Sequence, residues 1–289
     1  MHAINYEAPT TVQDAVKLLA QLGERARPLC GGTDLIIQLR AGVRRPECVV
    51  DVKNIADLRH ISFDPKKGLR LGAAVPAIEI YENAEMRQRY PGLTEAAHLI
   101  GSLQIQSRAS VGGNLCNGSP AADTTPALIA LGARARIAGP RGEREVKVED
   151  FCTAPGRTVL QPGELLIELL IDPPKPHSSD AYLRFIPRNE MDIAVVGVGS
   201  CVQLDGDKVV AARIGLGAVA PTPLFAAKAS ESLVGKKLDD AAIERAAKLA
   251  TEQSTPIDDM RGTAEFRRHL VGVLTRRTLL KAAERARAA

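Results

Sequence analysis

The first fifty residues show a helical repeat of apolar positions followed by an apolar strand. Between Thr11 and Leu22 the apolar side chains fall on one face, which predicts an amphipathic helix capped by a threonine. A second helix is predicted from Leu35 to near Gly42, after a double glycine, and a short strand follows at Cys48–Val52. This order of elements predicts a small α/β unit.

Beyond Leu58 the pattern changes to short strands and helices separated by turns. Residues 101–126 are rich in Gly, Ser, Asn and Pro, which predicts a structured loop, and the proline-rich run Pro173–Ser179 predicts a boundary. The predicted elements are strands at 69–71, 73–75, 134–138 and 164–171, and helices at 77–84, 93–100 and 127–132.

The last third of the chain alternates three strand patterns with two helical ones. Strands are predicted at 181–186, 193–204 and 209–216, and the last two are joined by Asp205-Gly206-Asp207, a hairpin signal. Helices are predicted at 241–253 and 264–286. The second of these helices carries many arginines, which predict either a solvated face or a docking face for a partner.

Composition narrows the classes of function. The chain has 289 residues, 38 Lys and Arg against 34 Asp and Glu, and a formal net charge of +4. This balance is too weak to indicate nucleic-acid binding, and five Phe, four Tyr and no Trp do not predict a base-stacking platform. No apolar run reaches the roughly 18 residues of a membrane helix. We therefore expect neither nucleic acid nor a membrane span.

The five cysteines are dispersed and form no C-x-x-C pair. This spacing excludes a disulfide scaffold and argues against a zinc or iron–sulfur site held by this chain alone. Reduced thiols, and the absence of a signal-peptide pattern, predict a cytoplasmic protein. We expect no metal ligand on this chain.

Two glycine pairs are the candidate ligand-binding segments. Residues 29–36, the first glycine loop, contain Gly31-Gly32, and residues 110–114, the second glycine loop, contain Gly112-Gly113. Paired glycines let backbone N–H groups approach a phosphate, and the first loop also opens a helix. The alternative is two ordinary tight turns. Asp123 is interpreted either as the cap of the following helix or as an acceptor of hydrogen bonds from a ribose, an adenine or a donor in a loop of the protein.

Four motifs, in this order, resemble the flavin (medium) subunit of the xanthine dehydrogenase/carbon monoxide dehydrogenase family. The resemblance covers essentially the whole chain, and four ordered motifs are far more specific than either glycine pair. They are Cys30–Asp34, Gly101–Asn114 together with Ser119–Asp123, Tyr182–Val196, and Asp259–Arg267.

The resemblance implies an α+β chain with a two-subdomain FAD-binding PCMH fold of the vanillyl-alcohol-oxidase type at residues 1–55 and 56–175. A C-terminal three-stranded antiparallel sheet with helices would occupy residues 176–289. It also implies one non-covalent FAD and two partners, a large molybdopterin subunit and a small subunit with two [2Fe-2S] clusters, usually as a dimer of heterotrimers. Electrons would pass between those clusters, FAD and an external acceptor.

The resemblance implies a set of cofactor-binding residues and no catalytic residue. Ile100 would lie beside the flavin nucleotide and Leu166 near the isoalloxazine. Arg184 stands where relatives often place a lysine near the ring, and it departs from them because a guanidinium is not a compact point charge. The full set is Leu29, Cys30, Gly31, Gly32, Thr33, Asp34, Leu35, Ile36, Ile100, Ser110, Gly112, Gly113, Asn114, Asp123, Leu166 and Arg184.

Two other functions are compatible with these loops. The first is a stand-alone FAD-dependent oxidase of the same flavin fold, which would need its own titratable base and often a covalent His or Cys. The second is a non-catalytic FAD-binding or assembly protein. The sequence names neither the substrate nor the electron acceptor.

Overall fold

The computed structural model describes residues 3–289, and its N-terminal sheet has three parallel strands in the order β1-β3-β2. The helix predicted after Thr11 is confirmed, since the Thr11 side chain caps it by accepting from the Asp14 amide at 3.1 Å. The sequence did not predict β1. The elements are β1 Asn5–Glu7, α1 Val12–Leu22, β2 Ala26–Leu29, α2 Leu35–Arg40 and β3 Cys48–Asp51, with a 3₁₀ turn at Gly23–Arg25.

The central sheet has five antiparallel strands in the order β4-β5-β10-β6-β7. Its middle strand is buried along almost its whole length, and the apolar run is interrupted only by Glu168, which pairs with Arg70 and Arg136. The strands are β4 Ile61–Asp64, β5 Gly68–Gly72, β6 Arg134–Gly139, β7 Gly142–Lys147 and β10 Leu165–Ile171, and a small hairpin is formed by β8 Cys152–Ala154 and β9 Arg157–Thr158. Further 3₁₀ turns lie at Ala56–Leu58 and Val148–Asp150.

Six helices connect β5 to β6, and they correct the predicted loop at residues 101–126. That stretch contains α6, α7 and the start of α8. Tertiary packing overrides glycine's poor helix propensity, because Val111, Gly112 and Leu115 are buried in α7. The helices are α3 Ala77–Glu82, α4 Ala84–Arg89, α5 Pro91–His98, α6 Leu103–Gln106, α7 Val111–Cys116 and α8 Thr124–Ala130.

The C-terminal sheet confirms the three predicted strands and adds a two-residue strand at its edge, giving the order β11-β12-β13-β14. Gly206 occupies the predicted hairpin turn with a φ of 57°, which favours glycine. The elements are β11 Ser178–Phe185, β12 Val196–Asp205, β13 Lys208–Gly217, β14 Leu224–Phe225, α9 Ala227–Leu233, α10 Asp240–Gln253 and α11 Ala264–Ala288.

The C-terminal sheet packs directly on α8 through a column of glycines. A Cβ added at Gly199 or Gly215 would lie 2.6 or 2.2 Å from the carbonyl oxygen of Pro126, and one at Gly217 would lie 2.7 Å from the Pro126 ring. The backbone of α8 therefore approaches this sheet at a distance that only glycine permits.

Four of the six arginines of α11 are exposed, as the prediction of a solvated face requires, and the other two, Arg267 and Arg285, hold the helix against the rest of the fold. Arg267 is buried and donates to the carbonyl oxygens of Val195 and Ala218 at 2.9 and 3.2 Å. Arg285 donates to the Asp180 carbonyl at 2.9 Å and also pairs with Glu95 on α5. None of the helices in residues 3–289 is long and apolar enough to cross a membrane.

Candidate functional site

A cleft of about 1050 Å³ separates the N-terminal and central sheets and reaches the start of the C-terminal sheet. Its volume lies at the upper end of the roughly 300–1,000 Å³ usual for ligand sites. Of the predicted cofactor-binding residues, Leu29, Ile36 and Arg184 do not line this cleft. The others do: Cys30, Gly31, Gly32, Thr33, Asp34, Leu35, Ile100, Ser110, Gly112, Gly113, Asn114, Asp123 and Leu166.

The first glycine loop offers a run of free amides to the cleft. Within the described residues, the backbone N–H groups of Gly32, Thr33 and Asp34 donate to no backbone or side-chain acceptor. Gly32 has a φ of 77°, a left-handed conformation that glycine adopts without strain. Successive unpartnered amides form a concave anion site, so this loop suits a phosphate group.

The two glycine loops contact each other directly. A Cβ at Gly31 would lie 2.0 Å from the carbonyl oxygen of Arg108, so the first loop packs against the backbone just before the second. Cys30 Sγ and Ser110 Oγ are 3.2 Å apart, and Gln38 Nε2 donates to Asn117 Oδ1 at 3.2 Å. Residues eighty positions apart therefore build one continuous wall of the cleft.

The second glycine loop forms the start of α7, and two of its amides have partners within the chain. Ser110 caps α7, and its hydroxyl accepts from the Gly113 amide at 3.0 Å. The Asn114 amide donates to the Ser110 carbonyl at 2.8 Å. Asn114 Oδ1 accepts from the Thr124 hydroxyl at 2.7 Å, so the Asn114 side chain can offer a ligand its amide nitrogen.

Asp123 forms a buried ion pair, which corrects its interpretation as a helix cap. Its side chain makes no capping hydrogen bond to α8. Instead Arg184 Nη1 donates to Asp123 Oδ2 at 2.7 Å, and the Tyr182 hydroxyl donates to Oδ1 at 3.1 Å. Burial raises the pKa of Asp123, against the opposing effect of Arg184. Arg184 therefore lies behind the cleft wall.

Residues 191–194 line the cleft from the C-terminal side, and residue-level reasoning did not assign them to the site. Asp192 accepts from Arg188 and Arg261, each at 3.3 Å. Ile193 is half-exposed at this end, and Ile100 and Leu166 contribute buried apolar surface. The signal available in the sequence was the motif Tyr182–Val196.

The thiols of the cleft are kept protonated. Burial raises the pKa of Cys30, and it raises the pKa of Cys116 to about 12. The lining contains no histidine or lysine among the described residues. Within residues 3–289, no group of three His, Cys, Asp or Glu side chains is arranged to hold a metal ion.

Known protein families match this chain along almost its whole length. Residues 2–174 match the family described as FAD binding domain in molybdopterin dehydrogenase, and residues 181–282 match the CO dehydrogenase flavoprotein C-terminal domain. The carbon monoxide dehydrogenase medium chain of Afipia carboxidovorans is 35% identical over 285 residues, covering 99% of this chain and 98% of that one.

Two further relatives extend the match. The xanthine dehydrogenase FAD-binding subunit of Escherichia coli O157:H7 is 32% identical over 279 residues, covering 96% of this chain and 95% of its own length. A chain of the Cu,Mo-CO dehydrogenase crystal structure, cyanide-inactivated form, matches with a TM-score of 0.94 and 35% identity, covering 98% and 99% of the two chains. The chain thus belongs to the FAD-binding medium subunits of the xanthine dehydrogenase/carbon monoxide dehydrogenase family of oxidoreductases.

Proposed function

We propose that this chain is an electron relay, taking electrons from [2Fe-2S] clusters on a small partner subunit and delivering them to an external acceptor. The observation that carries this proposal is the single cleft built by the two glycine loops, in a chain of this family. Bound FAD supplies the redox chemistry. The protein's task is to bind the dinucleotide, orient it and limit its contact with water.

Particular residues divide that task. The free backbone amides of Gly32, Thr33 and Asp34 hold the diphosphate, and the side-chain amide nitrogen of Asn114 donates to it from the second glycine loop. Ile100 and Leu166 supply apolar contact to the remainder of the ligand. Binding is non-covalent in this proposal, since the thiols that line the cleft are buried and protonated.

The proposal places the other redox centres on partner chains. A large subunit holds the molybdopterin, a small subunit holds both iron–sulfur clusters, and the assembly is a dimer of heterotrimers. The dispersed cysteines of this chain support the division of labour, and their free thiols support a cytoplasmic location. We assign residues 1–55 and 56–175 to the two FAD-binding subdomains and 176–289 to the C-terminal domain.

A stand-alone oxidase is less well supported, because arginines hold three of the five carboxylates in the described cleft lining, all but Glu24 and Asp34. Asp123 pairs with Arg184, Glu164 with Arg144, and Asp192 with Arg188 and Arg261. The hydrogen bond from Arg144 lowers the pKa of Glu164, and a backbone hydrogen bond together with Arg261 and Arg188 lowers that of Asp192, so both are poor general bases at neutral pH.

Affinity purification of the tagged chain from its own cells tests the proposal. We expect one FAD per chain, two co-purifying chains, molybdenum and electron paramagnetic resonance signals of [2Fe-2S] clusters. Substrate turnover by the isolated chain would instead establish the stand-alone oxidase. Bound FAD without turnover in any complex would establish the assembly protein.

A further inference from the structure

Two arginines of the described cleft lining form no salt bridge. Arg27 lies on β2, Arg44 lies in the loop between α2 and β3, and both line the cleft. In the part of the chain that the structure describes, neither side chain makes an ion pair or a hydrogen bond. Burial lowers the pKa of Arg27, the nearby charge of Arg44 lowers it further, and the charge of Glu24 raises it. Such a repulsive pair is expected where an anion binds.

The rest of the described cleft lining offsets this positive charge only in part. Its carboxylates Asp123, Glu164 and Asp192 are neutralised by arginines that do not line the cleft. Among the described charges of the lining that form no ion pair, three arginines (Arg27, Arg44 and Arg157) stand against Glu24 and Asp34.

The glycine loops supply no such charge themselves. Residues 29–36 and 110–114 contain no lysine or arginine, so they offer a phosphate only the dipoles of their N–H groups. A dinucleotide with a diphosphate brings two negative charges into the cleft. Since β2 runs from Arg27 directly into the first glycine loop, Arg27 and that loop belong to the same wall.

We infer that Arg27 and Arg44 bind the ADP half of the dinucleotide and make the cleft selective for FAD over FMN, an inference that rests on the proposed function. A guanidinium can bind phosphate oxygens in pairs and can stack on an adenine ring. FMN lacks both the second phosphate and the adenine. The two arginines would therefore contribute to FAD binding and leave FMN binding unchanged.

Titration of the deflavinated full-length chain with FAD, FMN and ADP at two salt concentrations tests this inference. We expect Arg27→Gln and Arg44→Gln each to lower the affinity for FAD and for ADP about tenfold, which corresponds to the loss of one charge-assisted hydrogen bond. FMN affinity should stay constant, and the salt dependence of FAD binding should fall. Arg25→Gln is the matched control, because Arg25 pairs with Glu47 and does not line the cleft.

The results that would contradict this inference differ from the result that would contradict the proposed function. Equal weakening of FAD and FMN would assign the arginines to the flavin mononucleotide half, and unchanged FAD affinity would remove them from the site. Both results overturn the inference and leave the proposed function standing. If the wild-type chain binds no FAD, the proposed function fails as well. Unchanged thermal unfolding of the deflavinated variants controls for misfolding.

Discussion

Gly31 and Gly113 belong to similar glycine pairs, yet a side chain would meet different surroundings at each. At Gly31 a Cβ would overlap the backbone of Arg108, which cannot move without separating the two loops. At Gly113 the nearest atoms are the Ser110 hydroxyl at 3.0 Å and the Cys30 Cβ at 4.0 Å. Gly31 is thus required by the packing of the protein, whereas Gly113, which also lines the cleft, has only the Ser110 hydroxyl at close range.

This difference gives a prediction for paired variants. We expect Gly113→Val to fold but to lose FAD, because its methyl groups occupy the space beside the loop. Gly31→Ala should lower the thermal midpoint of the deflavinated chain itself, because a backbone clash cannot relax. Calorimetry and flavin content of both variants are the measurements. A Gly113→Val chain with full flavin content would contradict the assignment of the second loop.

The buried pair of Asp123 and Arg184 gives a second prediction. Asp123→Ala leaves the Arg184 guanidinium buried without its partner, so we expect a loss of about 3–5 kcal/mol in the free energy of unfolding. Adding Arg184→Met should restore much of it. Urea unfolding of the two single variants and the double variant measures the coupling, and additive losses would contradict a buried pair.

FAD affinity in the double variant then separates two roles of Asp123. If Asp123 contacts the ligand, the stability restored by Arg184→Met does not restore binding. If its role is to hold Arg184, binding recovers together with stability. The sequence could predict that Asp123 and Arg184 matter but not that they meet, because their 61-residue separation is closed only by tertiary structure.

At the scale of elements, β11 joins the two halves of the chain through alternate residues. Asp180, Tyr182 and Arg184 share one face of the strand, as the two-residue period requires. Asp180 Oδ2 accepts from the Leu93 amide at 3.1 Å and so caps α5, a helix eighty-seven residues earlier. Tyr90, at the start of that helix, makes no side-chain cap.

The Asp180 carboxyl gives a prediction on pH. Burial and the nearby Glu95 raise its pKa to about 7, while the Leu93 amide and Arg285 oppose this. Between about pH 4 and pH 7 the folded state holds a proton that the unfolded state releases, so this carboxyl reduces stability as pH rises. We expect Asp180→Asn to be more stable than wild type by about 2–4 kcal/mol at pH 8.

That gain should vanish near pH 4, where both forms of the chain carry a neutral side chain. Urea unfolding at pH 4, 6 and 8 is the measurement. A difference independent of pH would mean that Asp180 does not titrate in this range. Glu95→Gln is the comparison variant, since Glu95 pairs with Arg285 and Lys281 at the same interface and its pKa is lowered.

Element prediction succeeded where local pattern and packing agree, as in α1 and the hairpin of β12 and β13. It failed at α6 and α7, where glycine and serine residues predict a loop. A Cβ at Gly112 would lie 2.5 Å from the Ala73 carbonyl, so the glycine is there for close packing and not for flexibility. Such a contact is formed between distant segments, and local propensity carries no signal of it.

At the scale of the whole molecule, the cleft draws its lining from the N-terminal and central parts of the chain and from the loop between β11 and β12. Ligand binding should therefore protect a segment as distant in sequence as Met191–Ala194. We predict that FAD slows tryptic cleavage after Arg188 several-fold, because ordering of the lining suppresses local opening. Arg188 is 66% exposed in its side chain. Mass spectrometry of timed digests is the measurement.

Cleavage after Lys237 is the internal control, because Lys237 is 68% exposed and lies outside the cleft. Equal protection at both positions would indicate general stabilisation and not closure over this segment.

The order of elements and the residues that line the cleft were largely predictable from the sequence. The two unpaired arginines were not, because nothing in a single sequence distinguishes a neutralised charge from a free one.

The glycine column of the C-terminal sheet predicts where mutations that abolish cofactor binding can occur. Gly199, Gly215 and Gly217 do not line the cleft, yet they set how closely α8 approaches, and residues 119 and 121–123 of the cleft lie immediately before that helix. One methyl group added at any of these glycines would overlap Pro126, push α8 away from the sheet and shift the cleft wall. Loss-of-cofactor alleles should therefore map to a sheet that never touches the cofactor, and a genetic screen would mistake them for folding defects.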